Sequence, residues 1–284
     1  MKPNDIRTIL GALGMAPSKS RGQCFLVDED VARRQVAMAR LGGDEVVLEI
    51  GPGLGVLTRL LARESGRVVA VESDARLCDY LRGLKLENVE LVRGDALKVE
   101  LPGFDKAVSN LPYQISSPIT FKLLDRPFSL AVLMYQREFA ERMVESSGRA
   151  SSRLYVKLYY KADSELLEVV PASAFHPQPE VEGALVRLVP RPPPFRVGDE
   201  GLFFKVVDCI YAHRRKKIGN CLVQGWRAFA PSPSAMRALI LGLPFLESRG
   251  EELAPEEMGA LSDALGERMG RGGASGERKD ESPH

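Results

Sequence analysis

Glu45-Val46-Val47-Leu48-Glu49-Ile50-Gly51-Pro52-Gly53-Leu54-Gly55 carries the signal that decides the fold. Its first half is a nearly continuous apolar run, the pattern of a strand buried on both faces of a parallel sheet. Its second half is a glycine turn leading into a helix that reaches Leu61. Glycines at such a junction let a ligand approach the backbone, and a helix N-terminus favours negative charge. The dinucleotide fingerprint G-x-G-x-x-G needs glycine at position 56, where this chain has Val56. The spacing here is G-x-G-x-G, so the loop by itself reads either as a tight structural turn or as a ligand cradle.

Outward from that stretch the pattern alternates. On the N-terminal side lie a polar lead-in with a short helix at 5–13 ended by Gly14, then Gly22-Gln23-Cys24-Phe25-Leu26. A helix follows from Asp28-Glu29-Asp30 to about Leu41, broken by Gly42-Gly43. On the C-terminal side, strands are expected at 67–71 (ending on Glu72), 88–92 (ended by Gly94-Asp95-Ala96), 106–108 and 129–134. Helices are expected at 75–84, 118–124 and 136–145. Alternation at this spacing indicates βαβ units, hence a doubly wound α/β sheet. Residues 153–161 are ambiguous, since Tyr and Val favour strand while Ser151 or Ser152 suits a helix cap; helix is the reading taken. Strands at 165–170 and 184–189 complete the sheet, and Phe175-His176-Pro177-Gln178-Pro179 between them cannot be a central strand. The prolines of 190–194 mark a boundary. The expected division is a catalytic domain at 1–190, an all-helical domain at 191–266 and a disordered tail at 267–284.

Bulk properties set the class. With 284 residues, 44% hydrophobic and 27% charged, the chain is an ordinary globular protein with an ample core. Cys24, Cys78, Cys209 and Cys221 are scattered without C-x-x-C spacing, so neither a disulfide framework nor a zinc site is indicated. Three histidines, none with a ligand-spaced partner, agree with a chemistry that needs no metal. No apolar run approaches a membrane span or a secretion signal, so a soluble cytoplasmic protein is expected. The net charge of +1 argues mildly against nucleic acid, but basic residues cluster at Lys19-Ser20-Arg21, at 149–161 and at His213-Arg214-Arg215-Lys216-Lys217. Such patches suit RNA; the last one equally suits a solvated helix end, where cations are favoured.

The chemistry is concentrated at strand ends. Glu72 falls about twenty residues beyond the glycine loop, where a carboxylate can accept both ribose hydroxyls. Asp95 ends the next strand and suits an exocyclic adenine amine. Ser109-Asn110-Leu111-Pro112-Tyr113 ends the one after, with an amide, a rigid turn and a flat ring. Acids also cap helices. Two acids and an amide at successive strand ends above a glycine loop outweigh that reading.

Gly51-Pro-Gly-Leu-Gly55, Glu72, Gly94-Asp95-Ala96 and Asn110-Leu-Pro-Tyr113 resemble the successive motifs of S-adenosylmethionine-dependent adenine-N6 methyltransferases. Together with Gly22-Gln23-Cys24-Phe25-Leu26, Pro171-Ala-Ser-Ala-Phe175-His-Pro177 and His213-Arg-Arg-Lys-Lys217, the chain resembles the KsgA-type ribosomal RNA adenine dimethyltransferases, in the archaeal branch. The likeness runs from about residue 19 to 260 and implies a Rossmann-like methyltransferase sheet with a small helical domain behind it. It implies that Gln23, Cys24 and Leu26 close over the methionine end of the cofactor, with the backbone of Cys24 rather than its thiol binding. Gly51 and Gly53 would line methionine and ribose, Glu72 take the ribose, and Asp95 with Ala96 hold the adenine. Asn110 and Leu111 would prepare the target nitrogen beside Pro112, with Tyr113 and Phe175 on the two faces of the base. Lys19, Arg21, Arg153, Arg214, Arg215, Lys216 and Lys217 are the expected RNA contacts. A departure is Ala150-Ser151-Ser152-Arg153-Leu154, where relatives often carry Tyr-Gly-Arg-Leu.

The expected reaction is dimethylation at N6 of two adjacent adenosines near the 3′ end of small-subunit ribosomal RNA. S-adenosyl-L-methionine would be the donor, S-adenosyl-L-homocysteine the product, and a monomer working on an immature 30S subunit the acting form. The alternatives are methylation of large-subunit RNA and a ribosome-assembly factor acting mainly by binding.

Overall fold

The computed structural model describes residues 3–15, 24–144, 152–213 and 215–274. The chain divides into two units, Met1–Val144 with Ala162–Arg191, and Glu145–Lys161 with Pro192–His284.

The first unit is built on a seven-stranded sheet. Its strands are β2 (Val46–Ile50), β3 (Arg67–Glu72), β4 (Val89–Arg93), β5 (Lys106–Asn110), β6 (Leu130–Gln136), β7 (Ala162–Val170) and β9 (Gly183–Pro190). A separate two-residue ladder joins β1 (Phe25–Leu26) to β8 (Phe175–His176). The order across the large sheet is β4-β3-β2-β5-β6-β9-β7. β9 runs antiparallel to both neighbours, and the remaining pairs are parallel. The expected strands are all present, each within a few residues of its expected bounds.

Helices α1 (Pro3–Ala12), α2 (Glu29–Ala39), α3 (Val56–Glu64), α4 (Ala75–Gly83), α5 (Ser116–Leu124) and α6 (Arg137–Val144) belong to this unit. Local chemistry sets their starts. The Asp28 side chain accepts from Asp30 N and Val31 N to begin α2, and Asp74 accepts from Arg76 N to begin α4. Val47, Leu48, Val68, Val69, Val108 and Val132 are wholly buried, and each such side chain contributes roughly 1.5–3 kcal/mol. The chain leaves β2 toward β3 and β4, then crosses back to β5 and β6 on the other side. The reversal between β2 and β5 is where open α/β sheets form a crevice beyond the strand ends.

The second unit holds α7 (Arg153–Lys161), α8 (Glu200–Ala212), α9 (Ile218–Gln224), α10 (Pro233–Ile240) and α11 (Pro255–Ala274). Two expectations are corrected here. The helix at 153–161 belongs to the helical unit and not to the catalytic domain ending at 190. Its Tyr155, Val156 and Tyr160 lie in one core with Phe203, Val206, Ile210 and Leu261, and Lys157 Nζ reaches Asp208 Oδ1 at 2.7 Å. The disordered tail does not begin at 267, because α11 continues to Ala274. Leu265 anchors that helix in the core, and Arg268 Nη1 donates to the Leu239 and Leu241 carbonyls. Residues 275–284 lie outside the described residues. Trp226 packs against this core with the Arg227 guanidinium 4.8 Å from its ring centre. Among the described residues no helix is long and apolar enough to cross a membrane, and no acidic, His or Cys group could hold a metal.

Candidate active site

The ends of β2, β3, β4 and β5 enclose a cleft of about 530 Å³ in the first unit. Gly51 and Gly53 take φ of +70° and +56°, left-handed values that favour glycine. Their surroundings are close on both sides, and tight at Gly53. A Cβ on Gly51 would lie 3.4 Å from the Pro112 ring, and one on Gly53 would stand 3.1 Å from the ring of Phe25. The glycine loop is thus held between two motifs remote from it in sequence.

The three acceptors expected from sequence line this cleft in distinct states. Glu72 is nearly buried, its Oε1 accepting from Ser73 N (2.7 Å) and Asp74 N (3.0 Å) and its Oε2 from Gly53 N (3.3 Å). Those amide donors aim the carboxylate and join β3 to the glycine loop. Asp95 Oδ1 accepts from Leu97 N at 2.9 Å, so it caps its own turn while still lining the cleft. Asn110 Oδ1 is buried and makes no hydrogen bond among the described residues. A buried acceptor without a donor costs about 1–3 kcal/mol, and such an atom in a cleft is poised for a donor from outside.

Leu111, Pro112, Tyr113, Ala96, Cys24 and Phe175 line the same cleft. Burial, with the Cys24 sulfur close by, pushes the Tyr113 phenol up to about 12, so it stays protonated at neutral pH. Phe175 is 5% exposed, and its place comes from the small ladder, in which it pairs with Leu26. Leu26 does not line the cleft; its side chain packs in the core with Val31, Val108 and Phe175. Gln23 lies outside the described residues.

Three further residues support this site, none of them assigned a role from sequence. β2 and β5 are paired at Val47↔Lys106 and Leu48↔Ala107, and beyond those pairs the Ser109 hydroxyl accepts from Ile50 N at 2.8 Å. Gln35 on α2 is wholly buried and donates from Nε2 to the Ser109 and Val132 carbonyls, each at 3.2 Å. Both hold the peptide that carries Asn110. Glu49 is 1% exposed. Burial pushes its carboxyl up to about 8, opposed by the Thr58 hydroxyl and reinforced by the Glu72 carboxylate. The available signal was confined to Glu49, a charged residue between Leu48 and Ile50 in an otherwise apolar run; Gln35 follows Arg33 and Arg34 and looks like one more polar position on the helix.

A family model described as ribosomal RNA adenine dimethylase matches residues 16–230. The chain belongs to the ribosomal RNA adenine dimethylase family. It is 47% identical over 248 residues to a probable ribosomal RNA small subunit methyltransferase A of Methanosarcina acetivorans, covering 86% of this chain and 91% of the relative. A protein of the same description from Thermococcus gammatolerans is 43% identical, covering 88% and 90%. Among solved structures, a dimethyladenosine transferase from Plasmodium falciparum superposes with a TM-score of 0.71 at 26% identity, covering 86% of this chain and 98% of the other. The 23S rRNA methyltransferase ErmE follows with a TM-score of 0.62 at 30% identity, covering 85% and 99%. The fold is therefore the Rossmann-like sheet of S-adenosylmethionine-dependent methyltransferases, and this dimethylase is an enzyme acting on adenine in ribosomal RNA.

Among the described residues, the lining of the cleft includes none of the basic residues expected to touch RNA. Lys19, Arg21 and Arg214 lie outside the described residues. Arg153 is exposed, with Nη1 3.7 Å from Asp208 Oδ1. Arg215 and Lys216 are exposed on the turn between α8 and α9, and the Lys217 Nζ meets Glu247 Oε2 at 2.5 Å.

Proposed function

We propose that this dimethylase transfers two methyl groups to N6 of each of two adjacent adenosines in the 3′-terminal hairpin of small-subunit ribosomal RNA. In this reading it acts as a cytoplasmic monomer on an immature 30S subunit, and the modification is linked to subunit biogenesis. The observation that carries the chemistry is Asn110 Oδ1, buried in the cleft wall without a donor. The choice of small-subunit RNA is supported by relatives at 40–47% identity, against 30% for the large-subunit enzyme.

The residues present fit S-adenosyl-L-methionine. The glycine loop leaves the room a Cβ would fill, and Glu72 is held by amides with its carboxylate in the cleft. In this reading Gly51 and Gly53 line the methionine and ribose, Glu72 accepts the ribose hydroxyls, Asp95 and Ala96 hold the adenine, and the Cys24 backbone closes the methionine end. When bound, the donor supplies an electrophilic sulfonium methyl and leaves as S-adenosyl-L-homocysteine.

The adenine N6 is a poor nucleophile because its lone pair is delocalised into the ring. In the first transfer Asn110 Oδ1 and the Leu111 carbonyl accept its two hydrogens, turning the nitrogen toward tetrahedral geometry and its lone pair toward the glycine loop; each methyl gained releases one N6 proton to water, and in the second transfer a single N–H remains for these acceptors. Pro112 stiffens this grip against Gly51. Tyr113 and Phe175 hold the two faces of the base, each stack contributing roughly 1–3 kcal/mol. Orientation supplies most of the acceleration. The target must be unstacked from its RNA to enter, and Arg153, Arg215, Lys216 and Lys217 supply phosphate contacts.

The test is transfer of label from the donor to immature small subunits, followed by digestion and detection of dimethyladenosine. Label confined to large-subunit RNA or to DNA overturns the reading. Asn110→Ala is expected to keep cofactor affinity and lose turnover. Undiminished turnover refutes the aiming role.

A further inference from the structure

The turn that follows β4 is held from outside the sheet by a lysine. Among the described residues β4 is an edge strand paired with β3 alone, and no strand lies on the outer side of Asp95 and Ala96. Within the turn, Lys98 N and Val99 N donate to the Asp95 carbonyl at 2.8 and 2.9 Å, and Leu97 N donates to Asp95 Oδ1. A Cβ on Gly94 would collide with the Val99 side chain, which folds back over that glycine. The carbonyls of Ala96 and Val99 accept from one group, the Lys122 ammonium, at 2.8 and 2.6 Å.

Lys122 stands on α5, the helix that begins three residues after Tyr113. An ammonium donates and never accepts, and charge-assisted hydrogen bonds are about twice as strong as neutral ones. A lysine present only for its apolar stem would turn its charge to water; this one spends it on two carbonyls of a single turn.

We propose that Lys122 is a positioning residue for the methyl donor, locking the 95–99 turn in the conformation that offers Asp95 and Ala96 to the adenine. The same clamp ties that turn to the helix leading out of the Asn110–Tyr113 motif, so both halves of the cleft share one support. This rests on the assignment of Asp95 and Ala96 to the adenine.

The experiment uses the full chain and calorimetric titration with S-adenosyl-L-homocysteine. Lys122→Met, which keeps the stem and removes the charge, is expected to raise Kd about tenfold, a typical coupling between sites. In steady-state assays the KM for the donor rises more than kcat falls. Lys122→Arg, which can still donate to both carbonyls, restores most of the affinity. In the ligand-free protein, Lys122→Met is expected to speed hydrogen exchange at Leu97, Lys98 and Val99 and leave the β2 amides unchanged. Wild-type affinity in Lys122→Met, unchanged exchange at those amides, or equal acceleration in β2 overturns the proposal. Asp95→Ala separates the two levels. If it binds like wild type, the adenine assignment itself fails; if it binds weakly and Lys122→Met does not, only the role of Lys122 fails.

Discussion

Glu49→Gln isolates the energetic consequence of a carboxyl buried beside the glycine loop. Glu49 is 1% exposed, and its ionisation moves from an ordinary value of 4.5 to about 8, chiefly because burial strips the charged form of water. At 1.36 kcal/mol per pH unit, that displacement corresponds to about 5 kcal/mol held against the ionised folded state. Below pH 4.5 the folded and unfolded chains both carry the proton, and the group has no effect on stability. Between 4.5 and about 8 the folded chain binds more protons than the unfolded one, so stability falls as pH rises; above about 8 the loss is complete. Glutamine has nearly the same shape and cannot ionise. The stability difference between Glu49→Gln and wild type is therefore expected to be near its minimum at pH 4.5 and to grow by about 3–5 kcal/mol by pH 9. Urea unfolding of the ligand-free protein at a series of pH values measures it. Titrations of groups that do not interact with Glu49 cancel in the difference. A difference that stays flat from pH 4.5 to 9 refutes the reasoning, because it would mean that Glu49 ionises in the fold as it does in the unfolded chain.

Ser109→Ala removes the acceptor of the Ile50 amide and leaves a buried donor unpaired, at a cost of about 1–3 kcal/mol in urea unfolding. Because Ser109 carries the peptide to Asn110, single-turnover rates should fall more than cofactor affinity; the opposite split would show that the bond serves only the sheet. Gly53→Ala places a methyl 3.1 Å from the Phe25 ring at a φ of +56°. Cofactor affinity is expected to fall about tenfold or more with circular dichroism unchanged, since strain of about 1–2 kcal/mol falls on a loop and not on the core. Wild-type affinity in that variant would show that the loop does not need its tight conformation.

The arrangement of chemistry along the chain was legible because it is local. Apolar runs mark β2 to β6, glycines mark the turn after β2, and Glu72, Asp95 and Asn110 sit at strand ends in the order that the βαβ rule delivers to one edge of a sheet. Phe175 was legible as a candidate only through its motif, and its position came from the pairing of Phe25-Leu26 with Phe175-His176 across about 150 residues of sequence. The same kind of distance hid α7, whose Tyr155, Val156 and Tyr160 face apolar partners some fifty to a hundred residues later and so join the helical unit. It also hid the end of α11, where glycines in the sequence suggested disorder but core anchors at Leu265 and Arg268 extend the helix.

By itself, the sequence determined the α/β class, the order of the motifs and the kinds of atoms brought to the cleft, since those follow from residue type and short-range spacing. Tertiary structure alone decided the states of those atoms. It left Asn110 Oδ1 without a donor, engaged Glu72 with three amides, kept a proton on Glu49 and set the Lys122 ammonium against the Asp95 turn. The reason is physical. Desolvation and hydrogen-bond satisfaction depend on which remote segments pack around a group, and no local pattern of residues encodes that packing.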